Sequence, residues 1–181
     1  MSNEVIKAIK ERRAVRRYKN KEIPENIINE IIEAGRYAPS AMNRQPWKFI
    51  AITNKALIKD LSNVLTKKIL PTSPLTRERM KTMEDPLFYS APVLIFLLAT
   101  EHSGWSYADC GICSQNMMLA AYSLGIASCF IGMAKHIEGE KILKKLNIPE
   151  GYKVINAVVF GYADEKPELK ERKKDNVYWI R

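Results

Sequence analysis

Hydrophobic positions recur along this chain in two spacings. In "IPENIINEIIEAGRYAP", residues 23–39, Ile27, Ile28, Ile31 and Ile32 fall at helical intervals. Pro24 suits the first helical position, and Pro39 stops the helix at Tyr37 or Ala38. Upstream, "NEVIKAIKERR" (3–13) predicts a short helix capped by Ser2 or Asn3, with Val5, Ile6 and Ile9 as its apolar stripe. "WKFIAIT" (47–53) predicts a strand, and residues 55–68 an amphipathic helix. "PVLIFLLAT" (92–100) is apolar without alternation, which predicts a strand buried on both faces. "SYADCGICSQNMMLAAYSLG" (106–125) predicts a helix ending at Gly125. Its apolar residues run nearly all round, so it must be buried, with a subunit interface one way to do it. "ASCFIG" (127–132) and "YKVINAVVFGY" (152–162) predict strands, and "EGEKILKKL" (138–146) a helix. Strands separated by helices predict a three-layer mixed α/β domain. "LPTSPLTRERMKTMEDP" (70–86) is broken by proline and is a candidate lid.

The 181 residues, 46% hydrophobic, suit one domain spanning 1–181 with a sizeable core. The apolar run at 92–99 is far short of the roughly 20 residues that cross a bilayer. "MSNEVIKAIK" has no apolar h-region, and three cysteines, an odd count, argue against a disulfide framework. These features predict a cytoplasmic protein with no membrane partner. The net charge of +9 attracts anions. It is concentrated in "KERR" with "RRYKNK" (10–21) and in "KERKK" (170–174), two clusters that are either separate solvated surfaces or one convergent anion site.

Much catalytic machinery is missing from the sequence. It has no GxGxxG and no GxxxxGK[ST], and its histidines are His102 and His136. Cys110 and Cys113 form a CxxC inside a predicted buried helix, and Cys129 stands alone. Nothing completes a zinc set, so structural thiols are expected and no metal. Asp109 and Asn116 on that helix read as buried hydrogen-bonding groups that fix packing, although ligand contact stays open. Arg12 and Arg16 are four apart, so a continuing helical turn would put both on one face, and a forked guanidinium matches phosphate oxygens two at a time. A solvated basic surface would use the same residues. In "APSAMNRQPWKF" (38–49), Pro39 and Pro46 keep the backbone out of regular structure, leaving Ser40, Asn43 and Gln45 to read a flat heterocycle or to cap their neighbours.

Taken in order, "RRAVRRY", "APSAMNRQPWKFIAIT", "ADCGICSQNMMLAAYSLGIASCFIG" and "FGYADEKPELKERK" resemble the nitroreductase family of FMN-dependent oxidoreductases. The resemblance covers nearly the whole chain, and "PSxxNxQPW" is its most specific piece. It implies an α/β (α+β) three-layer fold with a central mixed, mainly antiparallel sheet flanked by helices. It also implies an intertwined homodimer with FMN at the interface. Arg12, Arg13, Ala14 and Arg16, with Lys170 and Arg172, would hold the phosphate, the ribityl chain and the pyrimidine edge. Pro39, Ser40, Ala41, Asn43 and Gln45 would reach the ring from the second subunit. The backbone of Ile131, Gly132 and Met133 would approach flavin N5, where a residue without a Cβ permits close contact. The family usually has serine at the position of Ala14, so one phosphate donor is lost here. A variable substrate-covering segment would span about 66–90.

The resemblance further implies a ping-pong cycle: NADH or NADPH gives hydride to N5, and an electron-poor acceptor takes it from the same place. Nitroaromatics, quinones, enones and free flavins all qualify as acceptors. No side chain is required as general acid or base, which agrees with the poor histidine inventory. Two alternatives remain from sequence: a flavin-binding or flavin-consuming protein without NAD(P)H turnover, and a basic nucleic-acid-binding module. Scattered aromatics and the lack of a recognition-helix motif argue against the second.

Overall fold

The computed structural model describes residues 3–72, 83–100 and 104–181. Helix α1 (Glu4–Glu11) begins at Asn3, whose side chain accepts hydrogen bonds from Val5 N (2.9 Å) and Ile6 N (3.3 Å). Helix α2 (Glu25–Arg36) ends at Tyr37, two residues before Pro39, as expected. Pro24 stands one position earlier than predicted, as the extended residue before the helix. Strand β1 (Lys48–Ile52) leads into α3 (Lys55–Ile69), capped by Asn54. After β2 (Val93–Thr100) come α4 (Trp105–Ser123), β3 (Ala127–Ile131) and β4 (Tyr152–Gly161). Helix α4 ends as the glycine signal implied. Gly125 takes φ +74°, its N–H bonds Tyr122 C=O, and Ile126 N–H bonds Ala121 C=O (2.8 Å), which satisfies the last carbonyls.

The four strands pair antiparallel throughout, in the order β1-β2-β4-β3. Parallel geometry appears as one isolated bridge, Ala14 with Ser128. Strand β2 is central, and its unbroken apolar run fills both faces. Leu94, Phe96 and Leu98 pack with α3, while Val93, Ile95, Leu97 and Ala99 pack with α2 and α4. Between Leu97 and Leu98 the register with β4 slips, so Ile155 is passed over. Ile155 and the next residue, Asn156, therefore both turn toward α4, where the Ser114 hydroxyl donates to Asn156 Oδ1 (3.0 Å). This is the three-layer arrangement the sequence implied.

Two expectations are corrected. The predicted helix at 138–146 is instead a tight 3₁₀ turn over Lys141–Leu146. It lies between Gly139 (φ +80°) and Asn147 (φ +47°), whose left-handed backbone bounds the segment on each side. A second such turn, Gly132–Ile137, was not expected. Arg12 closes α1 in an extended conformation (ψ 134°), so no helical turn carries Arg12 and Arg16 together. Within one chain α4 buries one side, with Cys110, Cys113, Met117 and Ala121 in the core, and leaves Trp105, Tyr107 and Ile112 exposed. Of the expected variable segment, residues 66–69 finish α3 and 73–82 lie outside the described residues, with Arg77, Arg79 and Lys81. His102 lies outside them too. No helix among the described residues is long and apolar enough to cross a membrane.

Candidate functional site

After α1 the chain runs extended along the free edge of β3. Ala14 bridges Ser128, Val15 N–H donates to Ser128 C=O (3.1 Å), and Tyr18 bridges Ala163 beyond the end of β4. Gly161 makes this possible, since a Cβ there would lie 2.6 Å from the Tyr18 ring. The segment is also tied to the C-terminal tail. Arg16 N–H donates to Glu165 Oε1 (2.5 Å), Asp164 N–H to Arg17 C=O (2.9 Å), and Arg17 Nε to Asp164 C=O (2.9 Å). Arg12 and Arg16 thus lie along one extended segment instead of on one helical turn, and the charges of both are coupled to Cys129 of β3.

Their electrostatics follow from that placement. Burial pulls the Arg12 guanidinium below its ordinary pKa; Cys129 opposes that pull, and the positive charges of Arg13 and Arg172 add to it. Arg172 is 160 residues away in sequence, yet its charge reaches Arg12. Arg16 also feels desolvation, yet Cys129, Tyr89 and Glu165 hold its pKa above the usual value. Its Nε is buried and meets no acceptor. Burial pushes the Tyr18 phenol far up, and its O–H donates to Val15 C=O (2.6 Å). Arg13 is differently engaged, since its Nη1 donates to the carbonyls of Lys10 and Arg12 (2.7 Å each) and so caps α1. Lys170 and Arg172 lie on the exposed tail, which has no regular structure from 164 to 181.

The loop between Pro39 and Pro46 is a short 3₁₀ turn over Ala41–Asn43, with φ positive at Met42, Asn43 and Gln45. Its order comes from within and from α4. Ser40 Oγ accepts from Gln45 N (2.9 Å), Gln45 Nε2 donates to Asn43 Oδ1 (3.2 Å), and Ala41 N–H donates to buried Asp109 (3.2 Å). Asn116 Nδ2 donates to Ala34 C=O (3.3 Å), so both polar residues of α4 fix packing, and Asp109 also shapes the loop. The loop's flanks, Ala38 and Trp47, belong to the core on the α2–α4 face, whereas Ala14 and Tyr18 pack on the opposite core. Pro39 and Gln45 are exposed and Ala41 half-buried. Ile131 is buried at the end of β3, and Gly132 and Met133 follow it on the surface. A Cβ on Gly132 would sit 3.3 Å from the Phe130 ring.

Cys110 and Cys113 are fully buried free thiols, which burial pushes up to about 12. No metal-binding group of His, Cys, Asp or Glu occurs among the described residues. Sequence reasoning missed Glu165, Tyr89 and Cys129 as neighbours of the arginines. Each contact joins residues far apart in sequence, and no local motif marks it.

A model of the nitroreductase family, described by that name, matches residues 9–162. A crystal structure of a nitroreductase with bound FMN from Bacteroides fragilis is 35% identical, covers 99% of this chain and 100% of its own, and overlays with a TM-score of 0.88. One from Desulfitobacterium hafniense, also with bound FMN, is 32% identical over 100% of both chains, with a TM-score of 0.90. A protein of Archaeoglobus fulgidus with a provisional NADH dehydrogenase/NAD(P)H nitroreductase name is 31% identical, across 93% of this chain and 90% of its own. Motif order, sheet topology and these likenesses agree over almost the full length: the chain belongs to the nitroreductase family.

Proposed function

We propose that this protein is an FMN-dependent oxidoreductase that takes hydride from NADH or NADPH and delivers it to an electron-poor acceptor. The observation that carries this reading is the charge coupling of Arg12 to Arg172 from the two ends of the chain, with, in the same extended segment as Arg12, an Arg16 Nε that is buried and without an acceptor. Such a donor set fits a phosphate and the oxygen-rich pyrimidine edge of a flavin. Bound FMN would supply reversible hydride acceptance at N5. The chain's own residues do the rest. Arg12, Arg172 and Lys170 offset the phosphate charge, and Arg16 offers its Nε–H to a ring or ribityl oxygen. Ala14 gives backbone but no hydroxyl. The surface backbone of Gly132 and Met133 would lie against the ring and orient it.

The loop carrying Pro39, Ser40, Ala41, Asn43 and Gln45 lies across the sheet from the Arg16 cluster, which supports a site completed by a second chain. The exposed apolar residues point the same way. Val5, Ile6 and Ile9 of α1 are 63%, 47% and 49% exposed, and Tyr178, Trp179 and Ile180 of the tail 90%, 78% and 100%. Surface of that kind is what a homodimer buries.

The test is purification followed by identification of the bound cofactor, then anaerobic mixing with NADH and NADPH. A flavin spectrum that bleaches with either donor supports the reading. Flavin that neither donor bleaches would favour a flavin carrier, and a colourless protein that never takes up FMN would end the case. Arg12→Ala with Arg172→Ala removes two charged hydrogen bonds, each worth about 1.5–3 kcal/mol, so the FMN Kd should rise at least about a hundredfold.

A further inference from the structure

The turn that follows residue 83, "MEDPLFYSAP" to residue 92, is ordered far beyond what a connection into β2 requires. The Asp85 carboxylate is buried. Its Oδ1 accepts from the Ser62 hydroxyl of α3, from Phe88 N (2.9 Å) and from Leu87 N (3.3 Å), and its Oδ2 accepts from Ser90 N (2.9 Å). Phe88 is fully buried edge-on against Phe96 of β2, with ring centroids 6.3 Å apart. Between these anchors Tyr89 and Ser90 both take positive φ, +59° and +53°. Left-handed backbone costs a residue with a Cβ about 1–2 kcal/mol, so two in succession persist because their surroundings impose them.

The strained turn aims Tyr89 at Arg16. The Arg16 Cζ lies 5.9 Å from the Tyr89 ring centroid, within cation–π range. Both residues line a cavity of about 690 Å³ with Ala14, Tyr18 and Glu165. Tyr89 is also among the groups that raise the Arg16 pKa. The Arg16 Nε nevertheless remains without an acceptor, so the contact orients Arg16 without saturating it.

We propose that Tyr89 is a positioning residue: it holds the Arg16 guanidinium at the flavin site, and the Asp85–Ser62 clamp holds Tyr89. The inference rests on the FMN reading above, and it gives the strain at 89–90 a purpose. A flexible arginine must be ordered before it can bind a flavin oxygen, while a clamped one has already met that cost.

Tyr89→Ala should raise the FMN Kd about tenfold, and Tyr89→Phe, which keeps the ring, by less. In an Arg16→Ala background Tyr89→Ala should add nothing, because the residue acts through Arg16. The flavin midpoint potential should fall with Tyr89→Ala, by about 30 mV for each tenfold by which the reduced cofactor is weakened more than the oxidised. Ser62→Ala should reproduce part of both effects. A second measurement needs no cofactor: ¹⁵N relaxation of the Arg16 Nε–H in the cofactor-free protein should report a rigid group that Tyr89→Ala loosens. Wild-type protein that binds FMN, with Tyr89→Ala unchanged in Kd, potential and Arg16 order, would overturn the inference alone. Wild-type protein that binds no FMN would overturn the cofactor reading, and the relaxation measurement would still decide whether Tyr89 orders Arg16.

Discussion

Gly35→Ala tests the packing that sets the loop at 39–46 in place. Gly35 lies where α2 crosses α4. A Cβ added there would sit 2.8 Å from Met117 Cγ, 3.1 Å from Cys113 Sγ and 3.2 Å from Met117 Sδ. Carbon atoms in good contact stand about 3.5–4.0 Å apart, so something must move by about 1 Å. Neither neighbour is free to yield, because Met117 and Cys113 are both fully buried. Overpacking of this kind costs about 1–3 kcal/mol, and two immobile neighbours place it near the top of that range. Gly35 is the next-to-last residue of α2, so alanine there returns at most the roughly 0.8–1.0 kcal/mol it gains over glycine in a helix interior. The net expectation is a loss of about 2 kcal/mol. For a chain of this size that lowers Tm by about 4–8 °C, measured by circular dichroism at fixed protein and cofactor concentration.

A mutant cycle isolates the clash. Met117→Ala alone should cost about 2–5 kcal/mol through the cavity it leaves. Adding Gly35→Ala to it should cost nothing further, since the new methyl enters that cavity, which gives a coupling of about 2 kcal/mol. Gly35→Ala proving as stable as the parent, or additive with Met117→Ala, would refute the reasoning. The helix cannot shift without consequence, because Ala38 N–H donates to Gly35 C=O (3.1 Å) and the loop at 39–46 follows directly.

Three shorter predictions concern other links. Ala14→Ser should tighten FMN about tenfold by restoring a hydroxyl donor to the phosphate; an unchanged Kd would remove the phosphate from that position. Ser90→Gly should raise stability by about 0.5–1 kcal/mol in urea unfolding, because it relieves a left-handed residue; a loss would mean that φ +53° is unstrained there. Cys110 and Cys113, pushed up to about 12 from 9.0, stay protonated in the fold while the unfolded chain ionises. Their contribution is complete below pH 9 and is lost toward pH 12, by at most about 1.4 kcal/mol per pH unit per thiol. Replacing both with alanine should flatten the alkaline slope of stability against pH.

What the sequence revealed was whatever sits within one element or one motif. The unbroken apolar run of β2 announced a strand with two buried faces, and Gly125 announced the end of α4. The basic clusters and "PSAMNRQPW" stood out because such residues gather for a reason other than core packing. What stayed hidden was set by long-range pairing. Nothing near Arg12 signals that the chain leaves the helix there, because the cause is Ser128 on a distant strand. The slip at Ile155 and Asn156 is equally silent: an alternating apolar pattern does not record which partner residue is skipped. Asp85 before Pro86 reads as an ordinary turn until Ser62 and three backbone donors converge on it.

These hidden contacts share one logic. Arg12 is repelled by Arg13 and Arg172, so the fold needs structure that tolerates that positive charge. Glu165 accepts from Arg16 N and pins the tail, Tyr89 faces the Arg16 guanidinium, and Arg13 turns its charge back onto the carbonyls of Lys10 and Arg12. Each arrangement lowers the cost of clustered positive charge without supplying a full counter-ion. Glu165 nonetheless restrains the field of Arg16, and under the proposed function a carboxylate there would weaken the anion to be bound. Glu165→Gln keeps a side-chain acceptor for Arg16 N and removes the charge. It should therefore tighten FMN while leaving the cofactor-free protein less stable, since the Arg16 charge then has less compensation. Changes of the same sign in affinity and stability would show that Glu165 acts as a tether for the tail and has no electrostatic part in the site.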